Sequence, residues 1–394
     1  MSTNLLKQFS RLKTISSYGL NQLITPLSQI IISLIVIRYH DVELWGSYVQ
    51  ILVLAGLILI FTSFGSRDYL IKSFSLNPGQ IYQQWISNVL SRLVLLAPTL
   101  LLIFFFPFDS KVQIIFVFWL IANFIVNSFQ VLILYNRDFK TAILIDSISS
   151  LIFIASVFIY RNSLTLYLLL AFSTISILLK ASCYTAFYSK RLRGLSFEIS
   201  FNILFLSIPF FIPALSGTLR SKIDLYFAAL FLGKIELGKY HILIGTLALA
   251  PLTATFLINP YLKNLFRISD RTRRKIERKS FLYGFAFAVF IIVAVYLFIS
   301  IIYGIDFPEI YYFIGFTAIQ PVFIHILLIN DFYKNNRQQI VAKFALSVLM
   351  VQLFAGYFLI AELGVLGALL IKSAGIWLLI ILFWQYRKTI SKNE

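Results

Sequence analysis

Three charged residues lie near the middle of a long apolar segment, residues 204–240, which reads LFLSIPFFIPALSGTLRSKIDLYFAALFLGKIELGKY. They are Arg220, Lys222 and Asp224. A guanidinium presents a planar fork of N–H donors that matches phosphate oxygens, and an ammonium presents a point charge. An acid close to such bases can pair with one of them or exchange a proton. This trio predicts recognition of an anion, with Asp224 as a charge partner or coupling group.

The same charges have a plainer interpretation. Pro213, Gly217, Arg220 and Asp224 follow one another at i, i+4, i+7 and i+11. This spacing puts the four on one face of a helix, whereas Lys222 points elsewhere. Arg220 and Asp224, four residues apart, can also neutralise each other and help to pack helices. A charge at membrane depth costs about 2.5–3.5 kcal/mol on insertion scales, so both interpretations require contact with protein or a wet cavity.

The element that carries these charges is predicted to be one long transmembrane helix. The apolar run that follows Asp224, residues 225–232, is far too short to cross a bilayer alone. As one helix, the segment extends roughly 40 Å at about 1.5 Å per residue. The hydrocarbon core is about 30 Å thick, so tilt or a kink is expected. Pro209 and Pro213 are placed to supply the kink.

Composition excludes a soluble globular protein. Of the 394 residues, 59% are hydrophobic and only 13% are charged, whereas about a quarter of the residues of a soluble domain are charged. The net charge of +18 would suit a nucleic-acid partner, but the bases are scattered through short loops between apolar runs. Membrane topology requires that pattern. We therefore expect a polytopic membrane protein with no nucleic-acid partner.

Hydropathy predicts an all-α protein with twelve spans, six in each half of the chain. The spans of the first half cover residues 18–37, 45–64, 85–106, 112–134, 142–160 and 164–187. Those of the second half cover residues 204–232, 240–262, 281–303, 310–329, 340–360 and 364–386. The predicted division is a six-helix lobe of residues 1–193 and a second of residues 194–394.

Lysines and arginines are concentrated in alternate loops. The outer segments contain only Arg38, Lys111, Arg161, Lys234 and Lys239, if the N-terminal tail is placed inside. The positive-inside rule then puts both termini in the cytoplasm. The densest basic run, KNLFRISDRTRRKIERK at residues 263–279, is interpreted as an anchor on anionic headgroups. Recruitment of an anionic, phosphate-bearing lipid substrate is the alternative.

Bases inside the predicted spans outnumber acids. They are Arg92, Lys180, Arg220, Lys222, Lys343 and Lys372, and Asp224 is the single clear acid. The candidates for an anion-binding site are Arg220, Lys222, Arg92 and Lys372. Snorkelling to the membrane interface is the alternative for Arg92 and Lys372, and the preferred interpretation for Lys180 and Lys343.

The sequence contains no motif for a metal, a disulfide or a nucleotide. Cys183 is the single cysteine, and the three histidines, His40, His241 and His325, are far apart and form no HExxH motif. No GxxxxGK[ST] loop is present. We therefore expect no metal, no cofactor and no direct use of ATP.

Two short stretches resemble each other. ELWGSY at residues 43–48 and IELGKY at residues 235–240 both place Gly-x-Tyr after an acidic residue, near the second span of each half. With six spans per half, this echo suggests parallel repeats related by an axis along the membrane normal.

Several motifs carry a resemblance to a known family. They are Gly19, Asn21 and Pro26 in the first span, RYHDVELWGSY at 38–48, FGSRD at 64–68, NRDFK at 136–140, and the spaced pattern from Asp224 to Tyr240. The sequence resembles the polysaccharide-biosynthesis flippases of the multidrug/oligosaccharidyl-lipid/polysaccharide (MOP) superfamily, especially Wzx-type O-antigen flippases. The resemblance covers the whole chain in length and span count.

The resemblance implies a V-shaped bundle of twelve helices with a central cavity between two lobes. The implied substrate is an undecaprenyl-diphosphate-linked oligosaccharide, moved from the cytoplasmic to the periplasmic leaflet of a bacterial inner membrane. The implied partners are this lipid-linked oligosaccharide, membrane lipids and other polysaccharide-assembly proteins.

Two other function classes stay open. A cation-coupled multidrug exporter of the same superfamily would need an acidic coupling residue, typically in the first span, and residues 18–37 contain none. A membrane-bound polysaccharide polymerase or glycosyltransferase would usually need a sizeable outer loop. Every outer segment is short, and none contains paired carboxylates or a DxD motif. A transporter that is not an enzyme is therefore preferred.

Overall fold

The computed structural model describes residues 2–258, 270–335 and 337–393. These residues form an all-helical protein, and eleven of the described helical segments are long and apolar enough to cross a membrane. The predicted all-α, multi-pass membrane fold is confirmed. The eighth predicted span, residues 240–262, ends outside the described residues. The first part of the basic run at residues 263–279 also lies outside the described residues.

The helices are named here in chain order. The first seven are α1 (Ser2–Tyr39), α2 (Val42–Ser63), α3 (Ser66–Leu76), α4 (Ile81–Leu102), α5 (Ser110–Asn136), α6 (Phe139–Ile159) and α7 (Leu166–Leu192). The long helix α8 (Phe201–Phe231) follows. The remainder are α9 (Lys234–Leu247), α10 (Leu249–Ile258), α11 (Asp270–Leu297), α12 (Glu309–Ile319), α13 (Val322–Lys334), α14 (Gln338–Leu363) and α15 (Val365–Asn393).

The chain divides into two compact units, Met1–Leu215 and Ser216–Glu394. The division lies within α8, whereas the predicted lobes meet at residues 193 and 194. The assignment of six spans to each lobe stays a prediction. The prediction of one continuous helix around Arg220 agrees with α8, which contains both Pro209 and Pro213.

Aromatic side chains form the centre of the first unit. The rings of Trp85 and Phe129 lie 4.8 Å apart, and those of Phe129 and Tyr188 stack at 5.5 Å. The indole N–H of Trp85 donates to the carbonyl of Ser128 at 2.7 Å. This contact satisfies the one polar atom of a buried tryptophan, so α4, α5 and α7 can pack through large rings at no hydrogen-bond cost.

The break between α2 and α3 requires a glycine. Gly65 has φ +65°, in the left-handed region, and a Cβ placed on it would lie 2.5 Å from the backbone nitrogen of Phe211 in α8. Phe64, which ends α2, stacks its ring on that of Phe211 at 4.5 Å. A missing side chain thus lets the N-terminal part of α8 lie directly against the break.

Small residues bring α8, α14 and α15 together in the second unit. A Cβ on Gly367 would lie 2.1 Å from the carbonyl oxygen of Leu359, and one on Gly356 would lie 3.0 Å from the ring of Phe227. Glycine allows this close approach of helix backbones in membrane proteins. The packing places the α15 residue Lys372 beside α8.

Candidate functional site

A buried carboxylate links three helices of the second unit. Asp224 of α8 is only 1% exposed, and Lys372 Nζ of α15 lies 3.0 Å from its Oδ2. The hydroxyl of Tyr240 on α9 donates to the same oxygen. Lys372 also donates to the backbone carbonyl of Ser221 at 3.3 Å. The acid therefore has a counter-charge and a hydrogen bond, which a buried carboxylate requires.

The pairing of Arg220 with Asp224 that their spacing allows is not formed. The ion-pair partner of Asp224 is Lys372, 148 residues away in sequence. Sequence spacing reveals neighbours on one helix, but it does not reveal a base on another helix that lies closer to the acid. Lys372 is therefore the ion-pair partner of Asp224, and the charge of Arg220 is not neutralised by this acid.

Arg220 has an unused donor. Its side chain is half-buried, and its Nε is buried without a hydrogen-bond partner among the described residues. His325 of α13 lies within electrostatic range of Arg220. The Nε2 atom of His325 is likewise buried without a partner in the described part of the chain. Sequence reasoning did not select His325, because a lone histidine in an apolar run gives no signal of what it contacts.

Lys222 lies near the pair formed by Lys372 and Asp224. Its side chain is exposed, and it interacts electrostatically with Lys372 and Asp224. Three of the predicted bases, Arg220, Lys222 and Lys372, are thus found in the second unit with the predicted acid Asp224. These four residues together carry three positive charges and one negative charge, a balance that suits an anion.

Arg92 is in the first unit and has a different environment. It is 2% exposed, and its Nε and Nη2 donate to Asn88 Oδ1 and Ser128 Oγ, each at 2.9 Å. Its guanidinium also lies 5.0 Å from the ring centre of Phe124. These contacts hold Arg92 inside the helix bundle. They give no support to its role as a ligand, and they are not the interfacial snorkelling considered as the alternative.

A second buried acid lies in the first unit. Asp146 of α6 is 7% exposed and lies 2.8 Å from Lys180 Nζ of α7. It also accepts hydrogen bonds from Tyr184 at 2.7 Å and from Asn21 of α1 at 2.9 Å. The prediction that Asp224 is the single clear acid within the spans is therefore wrong. The preferred interpretation that Lys180 snorkels is wrong too, because its ammonium is bound by Asp146.

The signal for Asp146 was present in the sequence. The residue lies within the predicted span 142–160, and an ionisable residue in a span is a candidate functional site by default. Lys343, the other base expected to snorkel, is exposed on α14, and its snorkelling stays a prediction.

The two Gly-x-Tyr stretches occupy similar local positions in their units. Tyr48 near the start of α2 is 2% exposed, and its hydroxyl donates to Ser173 Oγ at 3.0 Å. Tyr240 near the start of α9 is fully buried and donates to Asp224. Each tyrosine thus binds a polar side chain on another helix of its own unit, and the two partners lie on helices at different positions within their halves.

An arginine near the end of α7 and another near the end of α15 each lie close to an acid. Arg387 of α15 forms two hydrogen bonds of 2.9 Å with the carboxylate of Glu277 and also contacts Asp331. Arg191 of α7 lies 3.8 Å from Asp138. These clusters join helix ends within a unit. No group of three or more potential metal ligands occurs in the part of the chain that the structure describes.

The architecture described above is that of a polytopic, all-helical membrane protein. No protein-family model matches the sequence, and no curated protein sequence matches it. Solved structures do share its fold.

One of these structures is the lipid II flippase MurJ in an inward closed conformation. It covers 94% of this chain and 87% of its own, at 15% identity and a TM-score of 0.65. Another is a multidrug resistance MATE family transporter of the MOP superfamily in an outward-facing conformation, with coverages of 97% and 96%, 13% identity and a TM-score of 0.59. A MOP superfamily transporter from Pyrococcus furiosus is similar over 97% and 96%, at 14% identity and a TM-score of 0.56. The chain therefore has the fold common to MATE transporters and MurJ.

Proposed function

We propose that this protein is a transporter, not an enzyme, that moves an anionic lipid-linked saccharide across the membrane. The proposed substrate is an undecaprenyl-diphosphate-linked oligosaccharide, the repeat unit of O-antigen or another surface polysaccharide. The proposed direction is from the cytoplasmic to the periplasmic leaflet of a bacterial inner membrane, with both termini cytoplasmic. The observation that carries this proposal is that Arg220, Lys222 and Lys372 outnumber the single acid Asp224 on these helices of the second unit.

The three bases of that group differ in what they offer. Arg220 is half-buried, and the fork of a guanidinium suits phosphate oxygens. Lys222 is exposed and contributes charge. Lys372 is held by Asp224, which orients its ammonium. A diphosphate carries several negative charges and would be attracted strongly, since charges interact more strongly in a partly dry site than in water.

Two further points support the proposal. The fold is shared with a structure described as a lipid II flippase, and the sequence motifs between Gly19 and Tyr240 resemble those of Wzx-type flippases. The basic run at residues 263–279 would assist by recruiting a phosphate-bearing lipid to the cytoplasmic surface. Its first seven residues lie outside the described part of the chain, so this role rests on the sequence.

Deletion of the gene tests the proposal. Loss of the transporter should abolish the surface polysaccharide and cause its lipid-linked precursor to accumulate in the cytoplasmic leaflet. Both are measured in the same cells, with a plasmid-borne copy as the control. Normal surface polysaccharide in the deletion strain would contradict the proposed substrate.

A cation-coupled multidrug exporter is the second candidate. The observation that favours it is Asp146, a buried acid hydrogen-bonded to Asn21 of the first helix. An exporter is expected to have an acid in the first span. Here the acid is Asp146 of α6, which lies against α1. Susceptibility to cationic dyes, measured with and without the gene, separates the candidates, because an exporter alone should change it.

A further inference from the structure

The ammonium of Lys372 has one hydrogen-bond donor left for a ligand. Its Nζ donates to Asp224 Oδ2 at 3.0 Å and to the Ser221 carbonyl at 3.3 Å, and it has no third acceptor among the described residues. An ammonium carries three N–H donors. The side chain of Lys372 is 28% exposed, whereas that of Asp224 is 1% exposed. A ligand can therefore reach the lysine, while the acid is enclosed.

Asp224 is a fixed negative charge. The hydroxyl of Tyr240, which is fully buried, donates to the same oxygen that Lys372 binds. This second donor comes from α9, so the carboxylate is held from a helix other than the one that carries the lysine. A buried carboxylate with two donors needs no solvent to stabilise it. Asp224 therefore stays in place and neutralises Lys372 while no ligand is bound.

The backbone that carries Lys372 is fixed as well. Gln352 of α14 is buried, and its Nε2 donates to the carbonyl of Ile371 at 3.1 Å. Gly375, one turn further along α15, leaves the space that the side chain of Gln352 occupies. This turn of α15 is thus locked against α14. The ammonium is presented at a defined position, and such preorganisation favours ligand binding.

We propose that Asp224 is a resident anion that weakens the charge of Lys372 and so decides which anions this lysine binds. This inference rests on the proposed function and names the residue that sets the selectivity of its charged site. A ligand on the exposed side lies nearer to Lys372 than to Asp224. Its attraction is therefore reduced but not abolished, and it grows in proportion to the charge of the ligand.

The selectivity suits a transporter of a diphosphate-linked lipid. Phospholipids surround any membrane protein, and the phosphodiester of phosphatidylglycerol has a single negative charge. Such a headgroup gains little from a neutralised ammonium, whereas a diphosphate, with more than one negative charge, gains correspondingly more. Without Asp224 the full charge of Lys372 would attract phospholipid headgroups too. The resident anion thus keeps the lysine available for the more highly charged ligand.

The variant Asp224→Asn tests this inference, because it removes the charge and keeps an oxygen that accepts hydrogen bonds from Tyr240 and Lys372. Calorimetry on the purified full-length protein in detergent gives its affinity for farnesyl diphosphate. We expect this affinity to rise by about tenfold. Phosphatidylglycerol added to the micelles should compete with farnesyl diphosphate for the variant at concentrations that leave the wild type unaffected. Farnesol, which has the tail without the phosphates, should bind both proteins equally.

A second variant, Tyr240→Phe, should change the affinity in the opposite direction. It removes one hydrogen bond to Asp224 and keeps the ring, so the carboxylate depends more on Lys372 and holds the ammonium more tightly. Affinity for farnesyl diphosphate should fall by about threefold to tenfold, the effect of one hydrogen bond. General damage to the site would lower the affinity in both variants. Opposite changes therefore identify competition for the lysine.

Asp109→Asn is the matched control. Asp109 is an exposed acid at the start of α5 in the first unit, and its replacement changes the net charge by the same amount as Asp224→Asn. Its affinity for farnesyl diphosphate should equal that of the wild type. A rise as large as that of Asp224→Asn would refute the inference, because net charge alone would then explain both. Thermal unfolding is measured for every variant.

The outcomes separate this inference from the proposed function. An affinity of Asp224→Asn at or below that of the wild type, together with lost binding in Arg220→Ala, would refute the resident anion and leave the anionic substrate supported. Equal competition by phosphatidylglycerol in both proteins would also refute it. If Asp224→Asn does not fold, an unchanged affinity in Tyr240→Phe would overturn it. Failure of the wild type and Asp224→Asn to bind farnesyl diphosphate would overturn the proposed substrate as well.

Discussion

Lys372 Nζ lies 3.0 Å from Asp224 Oδ2, in an ion pair that connects residues 148 positions apart on α15 and α8. The carboxylate is almost completely buried, whereas the lysine is partly exposed. Loss of the lysine would leave a buried charge without its counter-charge, which costs more than the pair itself contributes. The packing of α15 against α8 is therefore stable only when both side chains of the pair are present.

The Lys372–Asp224 pair predicts a characteristic response to mutation. We expect Lys372→Ala to destabilise the protein by about 3 kcal/mol, at the low end of the range for broken buried pairs, since Lys372 is partly exposed. The double variant Lys372→Ala with Asp224→Ala should recover much of that stability, because no charge is left unpaired. Thermal unfolding of the purified variants is the measurement. Additive losses in the double variant would show that the two residues do not interact.

Arg220 is predicted to act in transport rather than in stability. Arg220→Ala should abolish surface polysaccharide and Arg220→Lys should reduce it partly, because lysine keeps the charge without the fork. Membrane abundance of both variants should be near that of the wild type. Since Asp224 is paired with Lys372, adding Asp224→Ala to Arg220→Ala should restore nothing. A rescue by that second change would identify Arg220 as a structural partner of Asp224.

The Asp146 cluster predicts a similar stability cycle in the first unit. Lys180→Ala leaves the buried carboxylate with only the hydrogen bonds from Tyr184 and Asn21. We expect a loss of about 3 kcal/mol, and less than half of it in the double variant with Asp146→Asn, which removes the charge. Lys343→Ala is the control, because Lys343 is exposed on α14. Equal unfolding temperatures for Lys180→Ala and Lys343→Ala would exclude a stabilising ion pair.

Gly65 is predicted to tolerate no side chain. Gly65→Ala combines a left-handed φ with a Cβ that would lie 2.5 Å from the Phe211 nitrogen, and it should cost more than about 2 kcal/mol. Gly79→Ala is the matched control, because a Cβ there meets no atom within 4 Å. Membrane abundance and unfolding temperature of the two variants give the comparison. A stable Gly65→Ala protein would show that α8 does not lie against this break.

Topology is tested by single cysteines in a Cys183→Ser background. The positive-inside rule predicts that Thr141→Cys and Ser269→Cys react only from the cytoplasm, and that Ile235→Cys reacts from outside. A membrane-impermeant maleimide, applied to intact and permeabilised cells, distinguishes the two sides. Reaction of Ser269→Cys in intact cells would reverse the predicted orientation.

The sequence by itself determined the membrane class and the position of most helices. A bilayer requires runs of about 20 apolar residues, and this requirement is local, so the chain shows it directly. The long helix with Pro209 and Pro213 was predictable for the same reason. So were the two related tyrosines, Tyr48 and Tyr240, because their motif is contiguous.

Only the tertiary structure decided the partners of the charged residues. Asp224 pairs with Lys372 rather than Arg220, Lys180 pairs with Asp146, and Arg92 is enclosed by the first unit. Each outcome depends on how the helices rotate and pack against one another. Helix packing brings together side chains more than a hundred positions apart, as it does for Asn21 and Asp146, separated by 125. Hydropathy and residue spacing describe a single helix and its faces. They do not show which side chains of another helix will contact that helix.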